Sequence, residues 1–280
     1  MTLRPYFLLL ASAVLLSGAA VVARAEVSEA DQQALRSRYA GKVLIFRKCY
    51  RMASQVEISD DGVVKGSSHR PGYWTVDGAV QVRDLEFRKD RVTFKCSKLW
   101  ANIKDDGQLH YFPVNAALKG KTDYPETVEV TFRTTKDAVS AEEISGRVKQ
   151  VFLGEQESML GATPQPIAAF IQKIPAQMDI DPITGVEFSG TLPKVVSRPE
   201  PDVPREAQLV GQSGRESFVV FVDEQGSAAV VGFTRILQYG LEETTIAVVK
   251  NWKFAPAMKD GKPLAVRIPM FIDYKLPNPK

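Results

Sequence analysis

The side chains capable of covalent or metal chemistry are few and scattered in this sequence of 280 residues. The two histidines, His69 and His110, have no further ligand-type side chain at the spacing of a zinc site. Asp60-Asp61 and Asp105-Asp106 resemble fragments of calcium loops, but each lacks the spaced third oxygen ligand and the bidentate glutamate. Turn chemistry accounts for them. Gly211-Gln212-Ser213-Gly214 lacks the lysine of a phosphate-cradling loop and precedes a strand pattern. The cysteines are Cys49 and Cys96, both in strand-like settings; a Cys–His nucleophile built from either competes with a disulfide reading, which is preferred. In an exported chain an even pair points to a disulfide, here closing a loop of about 47 residues (96 − 49) and stabilising by about 3–4 kcal/mol. Two buried free thiols are the alternative. No enzymatic reaction, metal or cofactor is expected.

Composition is that of a globular protein, with 44% hydrophobic and 25% charged residues. The front of the chain reads as an export signal over residues 1–25. Arg4 supplies the early charge, Phe7 to Val22 the apolar run, and Ala23-Arg24-Ala25 a small-x-small cleavage site ahead of Glu26. That run is shorter than the ~20 residues a spanning helix needs. An uncleaved inner-membrane anchor is the alternative. Without Arg4 and Arg24 the 36 basic residues fall to 34 against 33 acidic ones, so no electrostatic footprint for nucleic acid exists.

Residues 26–155 carry the patterns of a mostly antiparallel β domain, a sandwich or open barrel, with flanking helices. Ser28 is placed to cap a helix over 28–40 with Leu35 and Tyr39 on one face. From Lys42 a strand apolar on both faces begins, expected to be central. Turn signals such as Arg70-Pro71-Gly72, Asp77-Gly78 and Arg88-Lys89-Asp90 then separate β-branched and aromatic runs, including Tyr73-Trp74-Thr75-Val76. Arg83, Arg88, Arg91, Lys95 and Lys98 alternate with apolar residues as a solvated strand face would, or as a contact for acidic cell-wall or lipid head groups. Tyr73-Trp74, Trp100 and Tyr111-Phe112 suit core packing, with sugar stacking as the alternative. Ser140-Ala141-Glu142-Glu143 is a capping box that opens a helix expected to stop at Gly154. Residues 156–199 form a proline-containing connector whose apolar residues require it to pack in part on a domain.

Residues 200–280 carry the sharpest patterns. Pro204 to Val210 suits a short helix. A hairpin runs from Ser217 to Leu237, turning at Asp223-Glu224-Gln225-Gly226. Leu241, Thr245, Val248-Val249 and Trp252 recur on one helical face. Trp252, Phe254 and Pro256 form a structural clasp that seats the helix end. Leu264, Val266, Ile268, Met270, Ile272, Tyr274 and Leu276 then alternate without interruption, and Pro269 requires that strand to be an edge.

The order Pro201-x-x-Pro204-x-x-Ala207, Gly211, Val-Asp-x-x-Gly hairpin, helix, Trp252-x-Phe254-x-Pro256-Ala257 and Gly261-x-Pro263 resembles the TonB C-terminal domain over roughly 80 of the 280 residues. The resemblance implies a ββαβ fold with a three-stranded antiparallel sheet, a periplasmic location, and binding of an outer-membrane receptor or other envelope protein by strand addition, linked to transport. By position the receiving edge is Arg267, Pro269, Phe271, Asp273 and Lys275. The same charges also suit an edge blocked against aggregation. A second copy of the chain is an alternative partner. The front segment reads as a cleavable signal, its apolar run lacks the histidine of the transducer's anchor, and no long proline-rich spacer follows. The resemblance therefore carries the domain, not coupling to an inner-membrane motor complex. The alternative function is an exported envelope protein whose front β domain binds a ligand or cell-wall component, the rear domain serving assembly.

Overall fold

Ser28 caps α1 (Glu29–Tyr39) as its sequence requires, its Oγ accepting the Asp31 N–H at 3.1 Å. The computed structural model describes residues 27–50, 53–59, 64–65, 72–103, 109–118, 124–134, 139–154, 163–173 and 190–276. Residues 1–25, expected to be an export signal, His69 and both acidic pairs lie outside them. Among the described residues no helix is long and apolar enough to cross a membrane.

The front strands are β1 (Val43–Ile45), β2 (Gln55–Ile58), β3 (Val64–Lys65), β4 (Ala79–Arg88), β5 (Arg91–Ile103), β6 (Leu109–Pro113) and β7 (Thr127–Arg133). They form one sheet in the order β1-β4-β5-β7-β2-β3, with β6 also on β5, and all pairs are antiparallel except β2 with β7. Helix α1 and α4 (Ala141–Val151) cover one face. Ser140 caps α4, its Oγ accepting the Glu143 N–H at 3.2 Å, and Asp31 reaches across to the Ala141 N–H at 2.9 Å. Leu35, Ile144, Val82, Phe94, Val130 and Phe132 share the core beneath these helices.

Four expectations for this half are corrected. The strand from Lys42 is an edge, β1, and not a central strand. Its apolar character on both faces is used instead at a junction, since Leu44 lies on the front core and Ile45 on the rear one. Tyr73-Trp74-Thr75-Val76 does not extend; it leads into a helical turn, α2 (Trp74–Asp77), because Asp77 Oδ2 accepts the Tyr73 N–H at 3.1 Å. Helix α4 ends at Phe152 instead of Gly154, its cap N–H returning to Val148 while the Phe152 ring stacks on Phe46 at 4.6 Å. Lys98 leaves the solvated row: it is buried, its ammonium lies 5.6 Å from the Tyr124 ring, and burial pushes its pKa down to about 8.

The disulfide expectation is overturned, since both cysteines are free. Cys96 lies on β5 opposite Val82 and Val128, inside the front core, whereas Cys49 packs against the rear core. The two thiols thus pack into different cores. Burial pushes the Cys96 thiol up to about 12 and raises that of Cys49 as well.

After α3 (Val114–Leu118) and α4, the connector supplies α5 (Gln165–Ile171), which lies against the rear sheet with Ile167 buried in its core. It also supplies a strand the sequence reading did not name, β8 (Lys194–Ser197). Then follow α6 (Arg205–Val210), β9 (Gly214–Val222), β10 (Ala228–Arg235), α7 (Leu241–Val249), β11 (Lys253–Ala255), β12 (Ala257–Lys259), β13 (Lys262–Leu264) and β14 (Val266–Tyr274). Three of these make an antiparallel sheet with β9 between β10 and β14. Helix α7 covers its inner face, where Phe218, Val220, Leu241, Val249, Trp252 and Val266 are buried together. The alternation from Leu264 onward is interrupted at Ala265, so β13 pairs with β12 and only β14 joins the sheet. The two halves are thus an α+β pair: a mixed front sheet with helices and a small antiparallel rear sheet.

Candidate functional site

Strand β14 pairs with β9 over Val266 to Tyr274, in the register Pro269↔Val219 and Asp273↔Arg215. Proline has no N–H to exchange, so Pro269 occupies a non-hydrogen-bonded position of the antiparallel ladder. By the two-residue period of a strand, Arg267, Pro269, Phe271 and Asp273 all turn their backbone groups away from β9. Among the described residues no further strand pairs there. The edge expected from the sequence is therefore present as a row of outward carbonyls with an N–H missing at Pro269.

The side chains of these residues lie on the outer face of the sheet. Asp273 receives a bidentate pair of hydrogen bonds from its register partner Arg215, at 2.7 and 2.8 Å. Those bonds hold its carboxyl below the usual carboxylate range. The same guanidinium lies 3.8 Å from the ring centroid of Phe271, which is 45% exposed. Pro269 and Asp273 are exposed, Arg267 is half-buried, and Lys275 stands just past the end of the strand. The sequence thus brings four of its five edge candidates onto one strand and leaves Lys275 beyond it.

The three clasp candidates follow α7 directly. Trp252 is fully buried, tilted against Phe218 at 6.2 Å and Phe254 at 6.4 Å. Its Nε1 donates to the carbonyl of Pro199 at 3.1 Å, fixing the segment that enters the domain. The neighbouring Arg198 guanidinium lies 4.6 Å above the Trp252 ring, and its Nη2 donates to the outward carbonyl of Phe271 at 2.6 Å. Pro256 is half-buried at the β11–β12 junction.

Beneath the edge strand lies a polar group that no motif announced. Glu216, Glu242 and Thr245 are buried. Thr245 Oγ1 donates to Glu216 and lies 2.8 Å from the Tyr274 hydroxyl, which donates to the Leu241 carbonyl at 3.2 Å. Glu242 accepts the Leu237 N–H at 2.9 Å and that of Gln238. Burial raises the pKa of Glu216, helped by the charge of Glu242, and burial raises that of Glu242. The available signal was Glu216 itself, a carboxylate in register with Phe218, Val220 and Val222 on the inward face of β9.

The halves meet at the loop ahead of α7. Gln238, Tyr239 and Gly240 are consecutive left-handed residues, with φ of 72°, 59° and 84°. This conformation lets the Gln238 side chain accept the Ile103 N–H at 3.0 Å and donate to the Ile103 carbonyl at 3.3 Å, as a paired strand residue would. The Tyr239 ring meets Trp100 edge-on at 5.6 Å. Tyr73 packs on Gly240 so closely that a Cβ there would lie 2.5 Å from its ring.

A groove of about 450 Å³ lies over the outer face of the front sheet, lined by Glu57, Glu86, Arg88, Thr93 and Arg133 among others. Its charges are mutually satisfied: Arg133 pairs with Glu57 at 3.0 Å and Asp90 at 2.7 Å, and Glu86 with Lys95 at 2.7 Å. Among the described residues no group of three or more His, Cys, Asp or Glu side chains could hold a metal ion.

A three-stranded antiparallel sheet with α7 across its inner face and β14 at its edge defines a small α+β domain. Residues 199–276 match the family described as Gram-negative bacterial TonB protein C-terminal, and that match does not extend to the residues ahead of them. No curated protein sequence matches the chain. Among solved structures, the solution NMR structure of Pseudomonas aeruginosa TonB CTD aligns at 19% identity, covering 34% of this chain and 95% of that one, with a TM-score of 0.26.

Proposed function

We propose that the chain is an exported, periplasmic binding protein of the cell envelope. Its C-terminal domain takes an extended segment of a partner, an outer-membrane receptor or another envelope protein, as a fourth strand against β14. The observation that carries this reading is the unpaired edge, where Arg267, Pro269, Phe271 and Asp273 turn their backbone groups outward. In strand addition backbone hydrogen bonds supply affinity and a few side chains select the partner. The selecting side chains here are Phe271 and the Arg215–Asp273 pair. The match of residues 199–276 supports a link to outer-membrane transport, without coupling to an inner-membrane motor.

The test is titration with a synthetic peptide copying the N-terminal extension of an outer-membrane receptor from the same cell. Phe271→Pro or Asp273→Pro removes an outward N–H without touching the β9 ladder. Binding should disappear in these variants while the circular dichroism spectrum is retained. Undiminished binding by both sinks strand addition at β14. Mass spectrometry of the mature chain tests export separately; a first residue of Glu26 is expected, and retention of Met1 in a membrane fraction overturns it.

A second reading rests on the groove of about 450 Å³ over the front sheet. There the front domain binds a ligand or cell-wall component and the rear domain serves assembly. Residues 26–155 alone should then retain the ligand.

A further inference from the structure

The segment leading into the C-terminal domain is held by anchors that converge on one side chain. Strand β8 pairs with β11, with Ser197 opposite Lys253. Two residues later the Pro199 carbonyl accepts Trp252 Nε1 at 3.1 Å. Between these anchors Arg198 has little choice of path. Its guanidinium lies over the Trp252 ring at 4.6 Å and ends on the Phe271 carbonyl at 2.6 Å.

That carbonyl is one of the outward acceptors a fourth strand must use. The preceding outward position, Pro269, already lacks an N–H. Two successive positions of the edge are therefore restricted: Pro269 has no N–H to give, and the Phe271 carbonyl is held by a side chain that can leave. A positive charge on an exposed edge is a usual protection against unwanted strand pairing. Arginine suits this task because its planar fork can stack on an aromatic face and donate in the same pose.

We propose that Arg198 is a displaceable latch on the β14 edge, closing it in the unpartnered chain and released when a strand is added. The proposal rests on the reading of β14 as a strand-accepting edge. It adds that the buried tryptophan Trp252 governs access by holding the latch. A strand that pairs with β14 takes the Phe271 carbonyl with its own N–H, and the guanidinium leaves that carbonyl while the Pro199–Trp252 bond persists.

The test uses the mature chain and needs no envelope partner, because a second copy serves as the incoming strand. Arg198→Ala should move the carbonyl ¹³C resonance of Phe271 and leave those of the inward-facing Ile268 and Ile272 in place. Sedimentation equilibrium should show self-association tightened by about tenfold, the low end of the scale for one hydrogen bond from a charged group. Adding Phe271→Pro should abolish that gain. Arg198→Lys, which keeps a donor but loses the planar stack, should fall between wild type and Arg198→Ala. An unchanged Phe271 resonance in Arg198→Ala, or self-association equal to that of wild type, overturns the latch. Failure of the wild-type chain to bind a receptor peptide counts instead against strand addition to a partner and leaves these two readouts to decide the latch by themselves.

Discussion

The carboxylate of Glu243 accepts the backbone N–H of Trp74 at 2.7 Å, although 169 positions separate the two in sequence. The bond ties the first turn of α7 to α2, beside the Gln238–Ile103 exchange and the Tyr239–Trp100 contact. Glu243 is half-exposed as a residue, but its second carboxylate oxygen is buried. Burial, reinforced by the charge of Glu242, pushes its pKa up to about 8.

Stability should therefore fall as pH rises through this window. A carboxyl whose folded pKa is raised binds more protons in the native state than in the unfolded one. Its stabilisation is complete below the unfolded value of 4.5 and is lost as pH climbs to about 8. Glu216 and Glu242, raised in the same direction, add to the slope. Thermal unfolding followed across this range should show a falling Tm. Glu243→Gln, which keeps an acceptor oxygen for Trp74, should flatten the curve.

The buried polar group under β14 should be sensitive to a single hydroxyl. Thr245→Val removes the donor to Glu216 and the neighbour of the Tyr274 hydroxyl, at nearly constant volume. The expected loss is about 1–3 kcal/mol, the cost of leaving a buried polar group without its partner. Urea denaturation measures it, and a value near zero would show that Glu216 finds another donor.

Two glycines with the same backbone conformation should respond differently to alanine. Gly226 has φ of 77°, and a Cβ there would lie 1.9 Å from the Phe254 carbonyl oxygen, where the hairpin turn rests on the clasp strand. Gly211 has φ of 74° with nothing within 4 Å of a Cβ. Gly211→Ala should cost about 1–2 kcal/mol of backbone strain alone. Gly226→Ala should cost distinctly more, because the Phe254 backbone must move. Paired denaturation curves make the comparison.

Both cysteines should titrate as thiols. Intact mass under non-reducing conditions should match the reduced chain. Labelling with a thiol reagent at neutral pH should be slow in the native protein, where burial keeps Cys96 protonated up to about 12, and rapid once the chain is unfolded. Substituting either cysteine by serine should leave the reactivity of the other unchanged.

The local architecture of the C-terminal domain was written in its residue order. A carboxylate-and-glycine turn at Asp223–Gly226, a helical face from Leu241 to Val249 and a two-residue alternation through β14 are short-range signals, and proline at position 269 fixed the edge by removing a donor. Both helix caps of the front half were equally legible, because Ser28 and Ser140 act on N–H groups three residues away. What had no local signal was decided by packing between distant segments. Periodicity marks Cys49 and Cys96 only as strand-like and says nothing of which core each enters, so the pairing expected from their number fails. Lys98 and Glu216 carry charges that a sequence assigns to solvent, yet the second layer over their strands buries them. The Arg198 contact with Phe271 links residues 73 positions apart and exists because β8 and Trp252 together aim one guanidinium at one carbonyl. Which residues face inward and where the chain turns follow from the sequence through near-neighbour geometry; what those faces meet, and which edge stays open, follows only from the tertiary fold.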